Sequence, residues 1–404
     1  MQSIATTDPV PTAALPALSF GKLLALAGAT GSSVAAIYYS QPILPLISAE
    51  LGSSVRQISL VPTLTQFGYA LGILLLVPLG DRFNRRNLIL GKSLLLALAL
   101  LAFSFSSGLQ GLLILSLLIG LLATVAQDIV PAVAALSDPA RRGRTVGTVM
   151  TGLLLGILLS RTVSGLISAW DGWRLLYQLA ALSILASGAL AWAMLPALPG
   201  DRSLSYGRLM SSMWSLWRQY PALRRAARAQ ALFSVGFAAF WSTLALLLAD
   251  QFQLGSAVAG AFGLAGAAGA LAAPLAGAAA DRQGAGKVTL WAGLLSAISF
   301  LLMYAVSWLP ASLALPLLVL TVIGFDLGVQ TALIAHQSIV YSLDPAARSR
   351  LNALLVSWMF VGMASGSAGA GLLYSLAGFP AVISLALIAT LAGVWLRFVV
   401  RQQR

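Results

Sequence analysis

The sequence predicts an all-α membrane protein with twelve transmembrane helices in two parallel six-helix halves. Three observations predict it. Of 404 residues, 59% are hydrophobic and 9% are charged, where a soluble domain carries about 25% charged residues. Apolar runs near the ~20 residues that a spanning helix needs recur twelve times. Segments of the second half of the chain echo segments of the first at a near-constant offset.

The runs fall near 20–47, 57–79, 88–107, 109–136, 145–169, 173–195, 226–250, 256–280, 287–308, 314–342, 350–376 and 379–399, here numbered spans 1 to 12. The stretches Leu94–Phe105 and Leu112–Ala123 are apolar nearly all round, as suits helices facing lipid. Kinks are expected at Pro42 and Pro45 in span 1. The 38 glycines include pairs four apart, Gly152/Gly156 and Gly362/Gly366, a spacing that lets membrane helices approach closely. Met1–Ser19 lacks the basic start and apolar run of a signal peptide and reads as a cytoplasmic tail.

The 24 Lys and Arg against 11 Asp and Glu give a net charge of +13. With the N-terminus inside, 21 basic residues fall on inner segments, Lys92 among them. Only Arg56 and Arg174 fall on outer loops, and Arg161 lies within a span. This bias places both termini in the cytoplasm and explains the charge without nucleic acid. There is no Cys, and one His and one Glu leave little material for a metal cluster or a paired-Glu active site. No metal or cofactor is expected.

The repeat appears in three places. Asp138-Pro139-Ala140-Arg141 returns at Asp344-Pro345-Ala346-Ala347-Arg348, and with the same offset of 206 Gly156 meets Gly362 and Gly165 meets Gly371. Gly80-Asp81-Arg82 returns at Ala280-Asp281-Arg282, offset 200. Tyr38–Ser48 with Leu51-Gly52 returns at Trp241–Gln251 with Leu254-Gly255, offset 203. The organisation is therefore a tail (1–19), a six-helix bundle (20–195), a cytoplasmic linker with a short amphipathic helix (196–225), and a second bundle with a short tail (226–404). Two parallel halves place a cavity between them near the bilayer midplane, and rocking opens it alternately to each side.

These residues resemble the major facilitator superfamily. Pro78-Leu79-Gly80-Asp81-Arg82-Phe83-Asn84-Arg85-Arg86 looks like its G-x-x-x-D-R-x-G-R-R signature, departing from it with Pro78 and Leu79 near the leading glycine and Asn84 in place of the second, and Gly277 to Gly284 resembles a second copy. The resemblance implies a transporter in which Gly80, Asp81, Arg82, Arg85, Arg86, Asp281 and Arg282 form gating loops, with Asp81 making charge contacts that include the start of span 11. Tyr38-Tyr39-Ser40-Gln41-Pro42 and the span 5 pattern Gly156 to Gly165 look like bacterial twelve-helix drug:proton antiporters. In that group span 5 carries a proline where this chain has Arg161.

A charge at mid-bilayer costs at least ~2.5–3.5 kcal/mol on insertion scales and marks a functional candidate. Four residues qualify: Asp128, Arg161, Asp326 and His336. Counting ~1.5 Å per residue, Asp128 lies ~15 Å and Arg161 ~25 Å above the inner loop. An Asp128–Arg161 pair is expected, either as a proton-coupling switch or as a permanent lock between spans 4 and 5. Asp326, between Gly324 and Gly328, either carries protons or accepts bonds from neighbouring helices; His336 either titrates or packs. Candidates for the cavity wall are Tyr38, Tyr39, Gln41, Gln66, Gln127, Phe240, Trp241, Gln330, Gln337 and Trp358. Trp170, Trp173, Trp214 and Trp217 read as interfacial anchors.

The chain holds no GxxxxGK[ST], HExxH, CxxC or G-x-S-x-G pattern, which argues against ATP drive and against an enzyme. The expected function is a monomeric, proton-driven secondary transporter of the bacterial inner membrane that exports small amphipathic or drug-like molecules. One alternative is transport of a polar metabolite such as a sugar or amino acid, with Arg161 binding a carboxylate or hydroxyl. A remote alternative is a non-transporting membrane sensor or enzyme.

Overall fold

Long apolar runs without internal charge become helices because only intrasegment hydrogen bonds satisfy a backbone in lipid. In the computed structural model, which describes residues 19–138, 141–201, 203, 205–271, 273–345 and 347–402, eight helices among the described residues are long and apolar enough to cross a membrane. Span 2 is Val55–Arg82, span 3 Arg85–Phe105, span 4 Leu109–Leu136, span 7 Pro221–Phe252, span 9 Ala285–Ser307 and span 10 Ala311–Tyr341. The other two of the eight, Arg142–Met194 and Arg348–Gln402, each make two passes, spans 5 and 6 and spans 11 and 12. Broken helices supply the last two: span 1 (Phe20–Ala35, Gln41–Ile43, Leu44–Leu51) and span 8 (Ser256–Leu271, Ala273–Gln283). That makes twelve.

The two double passes turn at equivalent places. Gly172 (φ +81°) and Gly378 (φ +70°), 206 apart, occupy the left-handed region, which costs glycine little. The helix pairs also cross alike. Gly152 and Gly156 of span 5 lie against the backbone of Ala27 and Gly31 in span 1, and Gly362 and Gly366 of span 11 lie against Ala231 and Val235 in span 7. A side chain at any of these glycines would run into partner backbone. The repeat register differs at one point. Span 1 ends on Gly52 (φ +59°), but span 7 ends on Gln253 (φ +55°), two residues before the Gly255 that the sequence pairs with Gly52.

The halves meet through spans 2, 5, 8 and 11. At the end remote from the arginine-rich loops, Gly165 abuts the backbone of Ser256, and Gly371 abuts the Ser59 side chain. At mid-depth the Tyr69 and Phe360 rings meet at 4.5 Å. At the remote end Glu50 ties span 1 to span 6, accepting from the Trp173 indole at 2.6 Å and pairing with Arg174. Asp250, 200 residues on, accepts from the Tyr374 hydroxyl at 2.8 Å and ties span 7 to span 11. Trp173 is thus a buried packing residue beside Phe103 and Tyr177, not an interfacial anchor.

At the basic end an amphipathic helix, Tyr206–Gln219, buries Leu209, Met213 and Leu216 along one face. It touches both halves: Tyr206 Oη donates to the Leu75 carbonyl at 3.0 Å, and Ser212 Oγ accepts from Arg350 at 3.0 Å. Trp217 stacks on Trp358 at 5.2 Å. Trp358 therefore docks the linker and does not line the cavity.

Candidate functional site

Proline at 42 removes a backbone donor and disfavours helix just before it. Span 1 accordingly leaves the α-helix after Ala35 and resumes as a short 3₁₀ turn at Gln41. The freed Tyr39 carbonyl accepts from Ser164 of span 5 at 2.5 Å. This break aims Tyr38 and Gln41 at span 5, where the Arg161 side chain, 3% exposed, lies between the halves.

Arg161 is the centre of the site. Its Nε donates to Gln41 Oε1 at 2.8 Å. Its guanidinium lies 4.8 Å from the Tyr38 ring centroid and 4.1 Å from that of Trp241 on span 7. A cation over an aromatic face gains ~0.5–2 kcal/mol, most when desolvated. The Trp241 indole N–H donates in turn to Asp326 Oδ1 of span 10 at 3.1 Å. Arg161 Nη2 is buried with no protein partner. Gly260 and Gly263 of span 8 close over the Arg161 backbone and Cβ. Gln41, Pro42, Trp241, Leu244, Ala245 and Ala259 surround the guanidinium so closely that no water-sized space remains.

Asp128 is elsewhere. It pairs with Lys92 of span 3 (2.6 Å), whose ammonium also donates to Thr124 Oγ1 at 3.1 Å. The expected Asp128–Arg161 pair is not formed. Arg161 lies about two turns further from the basic end and turns toward spans 1 and 7. Lys92 is likewise not a loop residue: the helix starts at Arg85, so Lys92 lies two turns inside and is 4% exposed. Nearby, Arg85 bonds Asp81 at 3.0 Å, and Gly80 leaves room for both Arg85 and Asp128. Asp81 and Arg85 border a narrow cleft shared with Gln127, Ser349 and Arg350 at the start of span 11. Arg82 lies over Phe83 (5.4 Å) and Arg86 over Trp192 (4.1 Å). The Asp281 side chain lies outside the described residues; Arg282 is exposed.

The remaining candidates separate. His336 Nδ1 donates to Gln230 Oε1 at 2.9 Å within the second half, beside Phe233. Phe240 belongs to that half's core with Phe325 and Phe379, not to a cavity wall. Tyr39 packs edge-on against Tyr177 of span 6, away from Arg161. Gln127 donates to Tyr69 Oη at 3.1 Å, and Gln337 to Asn352 at 3.2 Å. Gln66 is fully buried without a protein partner, and Gln330 is half-buried on span 10. Sequence reasoning missed Tyr69, Gln230, Glu50 and the pairing of Lys92.

Twelve helices in two like halves, with a charged cluster bridging them, match a known design. The sequence profile of the Major Facilitator Superfamily matches residues 26–343. The chain belongs to the major facilitator superfamily. It is 37% identical over 351 residues to the "Uncharacterized transporter YgaY" of Escherichia coli O157:H7, covering 87% of this chain and 88% of that one. It is 35% identical over 372 residues to the "Probable transporter SCO4007" of Streptomyces coelicolor, covering 91% and 83%. The fold is that of a solved bacterial homolog of the human lysosomal transporter Spinster, with a TM-score of 0.70, 15% identity and 94% coverage of both chains. This superfamily member is a multi-pass membrane transporter, not an enzyme.

Proposed function

We propose that this transporter is a proton-coupled exporter of small amphipathic molecules, acting as a monomer in the bacterial inner membrane with both termini cytoplasmic. The orientation rests on the charge bias, which stands at twenty to two once Lys92 is removed from the twenty-one inner residues. One observation carries the mechanism: the Arg161–Trp241–Asp326 relay crosses from one half to the other. A proton on Asp326 cancels the negative charge facing Arg161 and weakens the indole bond, since bonds to charged groups are about twice as strong as neutral ones. The halves then separate more easily, which joins proton uptake to rocking. The Tyr38 and Trp241 rings supply apolar walls, and Gln41 a polar handle, the usual make-up of a site for amphipathic ligands.

A second reading has its own observation. Arg161 Nη2 is a buried donor without a protein partner beside the Gln41 amide, which suits a polar metabolite bearing a carboxylate or hydroxyl. In proteoliposomes, Asp326→Asn is expected to abolish accumulation driven by a pH gradient while keeping substrate counterflow. Retained pH-driven accumulation rejects coupling at Asp326. Thermal-shift screening across drugs, sugars and amino acids separates the substrate readings: shifts with sugars or amino acids alone reject the amphipathic one.

A further inference from the structure

On the outer surface of the second half, spans 9 and 12 cross closely at Gly293, which has no room for a side chain beside Val394 and Phe233. Over this crossing, at the basic end, runs an open groove of about 890 Å³. Leu290, Leu294, Leu391 and Val394 form its floor. Trp291 and Trp395, 68% and 66% exposed, flank it, and Arg282 and Lys287 stand at its basic end.

The internal repeat shows what the same surface looks like when the chain covers it. In the first half Trp192, which the offset of 206 for this pass pairs with Phe398 on the wall of the groove, lies under the Arg86 guanidinium at 4.1 Å and donates to Asn87 Oδ1 at 3.3 Å. The chain leaving span 6 then folds over the adjoining loop. Leu198 accepts from the Arg85 amide at 3.0 Å and donates to the Asn84 side chain at 3.3 Å, and the Asp201 amide donates to Asp81 at 2.9 Å. Asn87 and Asn84 correspond to Lys287 and Gly284, so the second half replaces an amide with a cation and loses the side-chain acceptor that anchors the strap. Among the described residues nothing covers the apolar groove, which has aromatic sides and a cationic mouth.

We propose that this groove is a binding site for an anionic phospholipid, its phosphate held by Arg282 and Lys287 and an acyl chain lying on the leucine floor between Trp291 and Trp395. Basic pockets between membrane helices bind anionic headgroups by charge, and tryptophan suits the headgroup boundary because its ring is apolar with one polar edge. The occupant is a whole lipid. A free phosphate uses the mouth but not the floor.

The full-length protein is placed in nanodiscs of phosphatidylcholine with increasing phosphatidylglycerol, and its thermal midpoint is followed. Phosphatidylglycerol is expected to raise the midpoint saturably. Arg282→Gln/Lys287→Gln is expected to shift the half-saturating fraction upward about tenfold, with its midpoint in pure phosphatidylcholine unchanged. Arg141→Gln/Arg142→Gln, which removes the same charge from an exposed turn of the first half, is expected to behave as wild type. Equal response of the Arg282/Lys287 variant and wild type overturns the proposal, as does an equal effect of both double variants. Inorganic phosphate in phosphatidylcholine discs is expected to do nothing; stabilisation equal to that of the lipid overturns the whole-lipid assignment. Independently of any charge variant, brominated phosphatidylglycerol is expected to quench tryptophan emission more than brominated phosphatidylcholine, and Trp291→Phe/Trp395→Phe to remove the difference. Persistence of the difference in that variant places the lipid elsewhere and rejects the site.

Discussion

Removing Lys92 tests the packing of the first half most sharply. Lys92→Met deletes the ammonium that lies 2.6 Å from Asp128, whose own exposure is 1%. It also takes a donor from Thr124. Breaking a buried pair by removing one partner costs ~3–5 kcal/mol, because the remaining charge stays desolvated. Arg85 lies near the other carboxylate oxygen across Gly80, and its partial compensation sets the expected cost toward ~3 kcal/mol. Asp128→Leu is expected to cost a similar ~3 kcal/mol by stranding the ammonium. Replacing both, Lys92→Met with Asp128→Leu, removes both desolvation penalties and is expected to be near neutral, within ~1 kcal/mol. The two single costs therefore do not add. Unfolding in mixed dodecyl maltoside–SDS micelles, followed by tryptophan fluorescence, reads all four corners of the cycle. A double variant whose cost equals the sum of the singles refutes the reasoning, as does either single variant below ~1 kcal/mol.

Two further expectations concern the contacts between the halves. Gly165→Val inserts a branched side chain against the Ser256 backbone, and overpacking costs ~1–3 kcal/mol. The penalty falls on the state closed at that end, so labelling of Ala245→Cys beside Arg161 is expected to rise by fivefold or more; the chain has no native Cys to interfere. Unchanged labelling rejects the closure. Trp217→Ala and Trp358→Ala each remove one ring of a stack worth ~0.5–1.5 kcal/mol beyond its area. Each is expected to speed protease cleavage of the linker several-fold, with the double variant no faster than either single one.

The helices and their repeat are legible because hydropathy and offset are properties of consecutive residues. Rotation about a helix axis is not, where a helix is apolar nearly all round. Phe240 and Trp241 are neighbours in sequence, yet one packs against Phe325 and Phe379 and the other against Arg161. Tyr38 and Tyr39 separate for a further reason: the chain unwinds between Ala35 and Gln41, so helical spacing gives no guide to their directions. Buried polar residues stand out in an apolar sequence, and Arg161, Gln41, Trp241 and Asp326 can be singled out that way. Their assembly depends on which faces of four helices meet. Lys92 was hidden by its place near the inner end of span 3: a lysine a few residues into the run counts as an inner-face charge until its pairing with Asp128 is seen.

The location of each buried charge decides which of them can respond to rocking. Lys92–Asp128 joins spans 3 and 4 of one half, and His336–Gln230 joins spans 7 and 10 of the other. When two halves move as bodies, a contact internal to either is carried along unchanged and gains nothing from the motion. Arg161–Trp241 crosses between the bodies, and Asp326 hangs on the same indole. Only such a contact differs between the two states, and a ligand or proton shifts an equilibrium only through a difference between states. Asp128→Asn and Asp326→Asn, both isosteric, should therefore part company. Asp128→Asn is expected to lower the unfolding midpoint while leaving the ratio of pH-driven accumulation to counterflow, per folded molecule, as in wild type. Asp326→Asn is expected to collapse that ratio with a smaller loss of stability. The reverse assignment, with drive lost in Asp128→Asn and kept in Asp326→Asn, would show that the coupling charge sits inside the first half and that its helices move relative to one another.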